Sequence, residues 1–349
     1  MNYWRKKKLY SSRCLLYNRT QVRDIPSHIS DMQEIEQKYQ KRLGSMIEPY
    51  PQSNSVVVQL TDGLGNQMFQ YAFALALQRV GNKPVMLDVS WFPEFGGKLN
   101  KATFRNYGMT PFKLSLHYTP YGYAHNLVYG KGWFGQLLKR WHIRRHFVRE
   151  KNLDCALANL VRVPQPLLVR GFFQREEYAR SVRHLLLDEF SVDEATLDSA
   201  NKEMLAAIRA AGNRAVMVHI RRGDYLNPAV AQVHGICSAE YYRRAEQYIA
   251  EKTGGKLHLF LFSDDPEWVL QNYKTEHEIT VVNINSADAG HLDINLMRHC
   301  AHAITANSTF SWWGAWLINS PERVVVAPAA WFADGRSVAG LLPDDWKTL

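Results

Sequence analysis

Residues 217–225 read Met217-Val218-His219-Ile220-Arg221-Arg222-Gly223-Asp224-Tyr225, an apolar run that ends in two adjacent arginines, a glycine and an acid. The run has the short, apolar character of a buried strand, and the polar residues after it read as a loop. In a parallel α/β sheet the carboxyl ends of strands are where ligands are held, so this junction is a candidate site as well as a strand end. Two neighbouring guanidinium groups there need anionic partners, because an unpaired buried charge is costly. Either Asp224 supplies a structural partner or a phosphate does.

Downstream, strand-like stretches at 257–263, 279–284, 302–306 and 324–326 alternate with helical patterns that begin near Ser238 and at Asp265 and cover 293–300 and 310–319. Asp265 and Pro266 form a favourable helix start, an N-cap followed by proline at the first helical position. Repeated strand–helix alternation specifies a parallel, doubly wound sheet.

Upstream the same logic yields a second unit. Residues 55–60 are apolar and β-branched, Gly63-Leu64-Gly65-Asn66-Gln67 follows, and Phe69, Ala72, Phe73, Ala76, Leu77 and Val80 then recur at helical spacing. Glycines in such a turn let a ligand approach the main chain, and the helix start offers N–H groups and a positive dipole end to an anion. The turn is neither GxGxxG nor GxxxxGK[ST], which disfavours nicotinamide chemistry and NTP hydrolysis. A third junction, Asn307-Ser308-Thr309-Phe310-Ser311-Trp312-Trp313-Gly314-Ala315-Trp316, again joins a strand to a helix through hydroxyls suited either to capping or to phosphate oxygens.

Together these junctions resemble the bacterial α-1,2-fucosyltransferases of glycosyltransferase family 11. The pattern GGLGNQMFQYA is present with Asp62 in place of its first glycine, HxRRxDY is intact at 219–225, STFSWWGAW stands at 308–316, and the similarity runs over roughly residues 55–335. The resemblance implies the GT-B architecture, two Rossmann-like domains facing across a cleft: an acceptor-side domain at 51–205 and a GDP-fucose-binding domain at 206–349. Residues 1–50 would be a basic N-terminal extension, with a helix over 31–43.

It also implies inverting transfer of L-fucose from GDP-β-L-fucose to O2 of a β-galactoside, the domains closing around the donor. Arg221 would take up charge on the departing β-phosphate, since a guanidinium donates two parallel hydrogen bonds. Arg222 would be its structural neighbour bonded to Asp224, and His219 would contact the nucleotide. Asp265, and less so Asp264, would read the guanine N1–N2 edge. Gly63, Gly65, Asn66 and Gln67 would face the pyrophosphate and fucose, Asn66 nearest the reacting centre, and Ser308, Thr309, Phe310 and Ser311 would serve the phosphates. His234, Asp224 and Asp62 are alternatives for a general base, unless the proton leaves late without one. No cofactor or metal is required, GDP-fucose being a co-substrate; Asp264-Asp265 lacks the spacing of a DxD site.

Composition narrows the partners. The chain carries 42 basic and 33 acidic residues, net +9, densest at 5–8 and at Lys139, Arg140, Arg144, Arg145, Arg149 and Lys151. Motifs of nucleic-acid binders are absent. The basic segments read either as solvated surface or as a peripheral face toward anionic headgroups, where a lipid-linked acceptor glycan would be held. Cys14, Cys155, Cys237 and Cys300 lack CxxC pairing, and no apolar run approaches the roughly 20 residues of a membrane span, so a cytoplasmic protein, peripheral at most, is expected. Two other readings compete: a non-catalytic galactoside-binding protein that uses the tryptophans, and a GDP-sugar transferase of different linkage. Within 92–149, Tyr107, Tyr118, Tyr121, Tyr123, Tyr129, Trp133 and Trp141 are either core or acceptor-cleft aromatics.

Overall fold

The computed structural model describes residues 29–49, 51, 54–81, 83–96, 105–129, 143, 145–152, 157–163, 166–223, 235–335 and 339–349. The N-terminal half begins with helix α1 (Ile29–Leu43) and builds a sheet from β1 (Val56–Gln59), β2 (Val85–Asp88), β3 (His117–Tyr118), β4 (Phe147–Arg149) and β5 (Leu167–Arg170). The order is β3-β2-β1-β5-β4 and every pairing is parallel. The valines of β1 are all fully buried, as expected of a central strand covered on both faces. Helix α2 (Leu64–Val80) follows β1 and is buried along most of its length.

After helix α3 (Ser199–Ala211) the C-terminal half repeats the scheme: β6 (Ala215–Ile220), helix α4 (Ala239–Thr253), β7 (His258–Ser263), helix α5 (Pro266–Asn272), β8 (Glu278–Val282), helix α6 (Gly290–Met297), β9 (His302–Ile304), helix α7 (Thr309–Trp316), β10 (Val325–Ala327) and β11 (Lys347–Thr348). Its six strands lie in the order β11-β10-β9-β6-β7-β8, again all parallel. Ser238 caps α4 and Asp265 caps α5 with Pro266 behind it, as the sequence predicts. Two Rossmann-like α/β units facing across a cleft are the GT-B arrangement.

Aromatic packing joins the halves. Phe69 of α2 lies 4.5 Å from the Trp312 ring and 5.0 Å from Trp313, and Trp313 Nε1 donates to Gly65 O at 3.0 Å. One apolar cluster contains residues of both halves, and Trp312, Trp313 and Trp316 are among its most deeply buried members. Tyr107 and Tyr118 are likewise core, whereas Trp133 and Trp141 lie outside the described residues.

The extension assigned to residues 1–50 needs correcting in its last part. Tyr39 and Leu43 of α1 are buried in the N-terminal core, and Arg42 reaches Tyr107 O at 2.7 Å and Glu94 Oε1 at 3.1 Å. The helix stands where the sequence predicts one; what its polar residues conceal is the narrow stripe it buries, since they form its outer face.

Candidate active site

In each sheet the chain fills one side of its first strand and then the other: β7 and β8 lie on one side of β6 with β9 on its opposite side, and β2 and β3 lie on one side of β1 with β5 on its opposite side. Such a switch point opens a crevice at the carboxyl ends of the two strands. Both crevices open on one cavity of about 1120 Å3, lined by His219, Arg221, Asn307 and Ser308 from one half and by Gly63, Asn66, Phe172 and Gln174 from the other.

At the end of β6, Arg221 Nη1 lies 2.9 Å from Asp264 Oδ2, and the other oxygen of Asp264 accepts the Arg222 backbone N–H at 2.8 Å. One carboxylate at the end of β7 thus fixes both the main chain and the guanidinium at the neighbouring strand end. Gly223 lies close against this contact: a Cβ there would stand 2.6 Å from Asp264 Oδ2, and the carboxylate would have to shift. His219 faces the cavity but is buried, with its ring against Phe310. Burial, and then the Arg221 cation, hold its imidazole far below the usual histidine range, so it is neutral at neutral pH. Its Nδ1 meets no hydrogen-bonding partner among the described residues, which suits a ligand atom.

Arg222 and Asp265 do not line the cavity. Arg222 Nε lies 3.3 Å from Asp265 Oδ2 and its guanidinium covers the Trp268 ring at 3.6 Å, while Asp265 Oδ1 caps α5. Asp265 is therefore not placed to read guanine, because both oxygens face protein donors, and the described partner of Arg222 is Asp265. Asp224 and His234 lie outside the described residues, as do Lys139, Arg140 and Arg144 of the basic segments.

The third junction divides. Ser308, Thr309 and Phe310 line the cavity where α7 begins, with Ser308 Oγ accepting from Phe310 N at 3.3 Å. Ser311 is fully buried and its hydroxyl donates back to Ala306 O and Ser308 O at 3.2 and 3.1 Å, so it shapes the turn and does not face a ligand.

The glycine turn divides in the same way. Gly63 opens on the cavity: among the described residues, a Cβ there would meet Arg105 Nε alone, at 3.9 Å. Gly65 also lines the cavity, yet its close neighbour is protein, since a Cβ would stand 2.5 Å from Thr309 C and 2.6 Å from Phe310 N. Gln67 is fully buried, donates to Asp62 O and Asn106 O at 2.7 and 3.0 Å and accepts from Gly108 N at 3.0 Å, so it fastens the turn and is absent from the cavity lining. Asn66 does face the cavity and accepts from Gln174 Nε2 at 2.9 Å. Asp62, which replaces a glycine of the family pattern, has φ +70, a left-handed conformation that aspartate tolerates better than most residues, so the turn keeps its shape.

The sequence reading missed Asp293 in the first turn of α6. It lines the cavity, accepts from Asn285 Nδ2 at 2.8 Å, and burial pushes its carboxyl up to about 6. Asn285 is in turn held by Asn201, which Asp198 orients. Across the cleft Asn106 Nδ2 donates to Asp288 Oδ1 at 3.0 Å, linking the two halves a second time. Neither motif spacing nor helical periodicity marks these residues; they are brought together by loops after β8 and β2. No helix among the described residues is long and apolar enough to cross a membrane.

A family model described as Glycosyl transferase family 11 matches residues 32–347, which includes most of α1. An Escherichia coli O-antigen biosynthesis glycosyltransferase, WbnK, is 31% identical over 83% of this chain and 99% of its own length. An Escherichia coli alpha-1,2-colitosyltransferase is 32% identical over 79% of this chain and 92% of its own. A galactoside alpha-(1,2)-fucosyltransferase 2 of Hylobates lar is 22% identical over 73% of this chain and 66% of its own.

Proposed function

The chain belongs to glycosyl transferase family 11 and is a glycosyltransferase, and from that premise we propose that it transfers L-fucose from GDP-β-L-fucose to O2 of a β-galactoside in a surface glycan such as an O-antigen, with inversion. The observation that carries the reading is the pairing of Arg221 with Asp264 at the end of β6, beside the start of α7 on the same cavity. As the bond between C1 of fucose and the β-phosphate oxygen breaks, negative charge grows on that oxygen. A positioned guanidinium and the N–H groups at a helix start are groups that stabilise it. Their preorganisation costs nothing at the moment of reaction, and this scheme calls for no metal.

A carboxylate in the cavity can accept from guanine N1 and N2. In this reading Asp293 supplies it, since one oxygen takes the Asn285 amide and the other takes no described donor. The non-catalytic galactoside-binding alternative loses its main support, because Trp312, Trp313 and Trp316 are core residues. A second donor, GDP-colitose, is favoured by the alpha-1,2-colitosyltransferase relative; colitose is fucose without its 3-hydroxyl. The test is a panel of GDP-fucose, GDP-colitose, GDP-mannose and UDP-galactose with lactose, run with and without EDTA, the linkage read by NMR. A 2-O-α-fucosyl product formed equally in EDTA is expected. Transfer from UDP-galactose alone, or a product at another hydroxyl, would overturn the reading.

A further inference from the structure

We propose that Phe172 is the platform on which the acceptor's sugar ring stacks, at the N-terminal switch point between β1 and β5. The proposal rests on the transferase reading above and adds a place for its second substrate. Arg221 and Ser308 stand at the carboxyl ends of β6 and β9; Gly63 and Phe172 hold the corresponding positions after β1 and β5 on the opposite wall. If the phosphates lie on the first pair, the nucleophilic hydroxyl must arrive from the side of the second.

Phe172 is 45% exposed, one of few large apolar side chains among the described residues that are, and it lies inside the cavity. Its backbone is held in place at some cost. The next residue, Phe173, has φ +51, a region that aromatic residues avoid, and strain of this kind gathers at functional sites. Phe173 is fully buried and stacks on Phe73 with centroids 3.8 Å apart and planes 7° from parallel. On the other side Gly171 fits only because it lacks a Cβ, which would stand 2.4 Å from Glu150 Cβ, and Glu150 Oε2 accepts the Phe172 N–H at 2.8 Å. These contacts bury one phenyl ring and turn its neighbour out into the cleft.

Polar groups that suit sugar hydroxyls line the same cavity. Gln174 Nε2 donates to Asn66 Oδ1, and both residues line the cavity. Gln174 Oε1 and Asn66 Nδ2 then remain to accept from and donate to an incoming hydroxyl. A β-galactoside is amphipathic in the matching sense: its C3, C4 and C5 hydrogens form an apolar patch on one face, and its hydroxyls project at the rim. An aromatic face and an amide pair lining one cavity are complementary to that ring.

The test compares the wild-type enzyme with Phe172→Ala, Phe172→Leu and Phe172→Tyr. Acceptor KM, kcat, GDP affinity and acceptor-independent GDP release are measured, together with lactose binding by ligand-observed NMR in the presence of GDP. For Phe172→Ala we expect acceptor KM to rise on the order of tenfold, a weakened lactose signal, and unchanged GDP affinity and hydrolysis. Tyrosine restores acceptor binding and leucine does not. Acceptor KM within twofold of wild type in Phe172→Ala, full rescue by leucine, or a parallel loss of GDP affinity would each overturn the proposal. Absence of turnover by the wild-type enzyme with every donor would sink the transferase reading; the NMR arm still decides on Phe172, an equal lactose signal in wild type and Phe172→Ala counting against it.

Discussion

Replacing Gly65 by alanine tests how the site is assembled. A Cβ at this position would stand 2.5 Å from Thr309 C, 2.6 Å from Phe310 N and 2.7 Å from Thr309 Oγ1, against ordinary contacts of 3.4–4 Å. Two of the three atoms are backbone, so no rotamer change relieves the overlap, and α2 and α7 must separate by about 1 Å. That separation strains the contact of Phe69 with Trp312 and Trp313 and the Trp313 Nε1 bond to Gly65 O. Overpacking of a core costs about 1–3 kcal/mol, and a weakened buried indole hydrogen bond adds about 1 kcal/mol or more. Moving the start of α7 by an ångström from the phosphates it is proposed to hold costs on the order of 100-fold in turnover. Urea unfolding followed by tryptophan fluorescence reads the first effect and kcat at saturating substrate the second. Gly63→Ala is the internal control: among the described residues its Cβ would meet Arg105 Nε alone, at 3.9 Å, and its φ of −71° suits alanine, so its stability should stay within about 1 kcal/mol of wild type. A Gly65→Ala enzyme that unfolds at the parental urea concentration and keeps parental turnover would refute the reasoning.

Other substitutions separate charge, backbone and burial. Arg221→Lys keeps a cation but not the two-pronged hydrogen bonding, so kcat should fall on the order of 100-fold or more with little change in unfolding midpoint; parental kcat would remove Arg221 from the chemistry. Asp62→Ala forces alanine into a left-handed conformation and should lose about 1 kcal/mol relative to Asp62→Gly, measured by thermal unfolding. Asp293 has its protonation raised to about 6 by burial, so the native state holds a proton that the unfolded chain releases. Stability from this group is present below about pH 4 and is lost as pH rises through about 6. Asp293→Asn should therefore gain up to about 3 kcal/mol of stability at pH 8, at roughly 1.4 kcal/mol per tenfold change in proton affinity, yet bind GDP more weakly. Wild-type GDP affinity should fall below about pH 6 as the carboxyl protonates, and affinity flat between pH 5 and 8 would rule out Asp293 as the guanine acceptor.

Alternating strands and helices were readable from residue 215 onward because each boundary carries a local signal: Ser238 and Asp265 are side-chain caps whose chemistry does not depend on the rest of the fold. Helix α1 was harder to place, since Tyr39 and Leu43 bury one stripe of an otherwise polar helix and only their partners in the sheet reveal it. Within the site, Arg221, His219, Asn66 and Ser308 are legible because they lie at or shortly after the carboxyl ends of strands, where backbone topology delivers them to the cleft. Gln67, Asp265, Arg222 and Ser311 sit in the same motifs but point to protein neighbours, and a side chain's direction is set by packing that spacing does not encode. Asp293, Asn285 and Phe172 belong to no quoted motif; their role depends on loops that meet across two sheets.

The two motifs easiest to read in the sequence are, physically, largely each other's partners. The glycine turn is shaped so that α2 can touch the first turn of α7, and the tryptophans of α7 pack on Phe69 and hydrogen bond to Gly65 O. With Arg183 donating to Trp316 O at 2.7 Å and Arg298 to Leu187 O at 2.8 Å, this interface runs through the molecule as one core. Rigid closure of one half on the other, expected from the resemblance, would have to break that packing, and buried aromatic contacts rearrange between discrete states instead of bending smoothly. The wall proposed to face the phosphates is thus assembled by folding itself, before any substrate arrives. Loss of activity on mutating residues 63–71 or 308–316 consequently reports folding and chemistry together, whereas a residue such as Arg221, which lines the cavity and pairs with Asp264 outside this aromatic interface, separates the two.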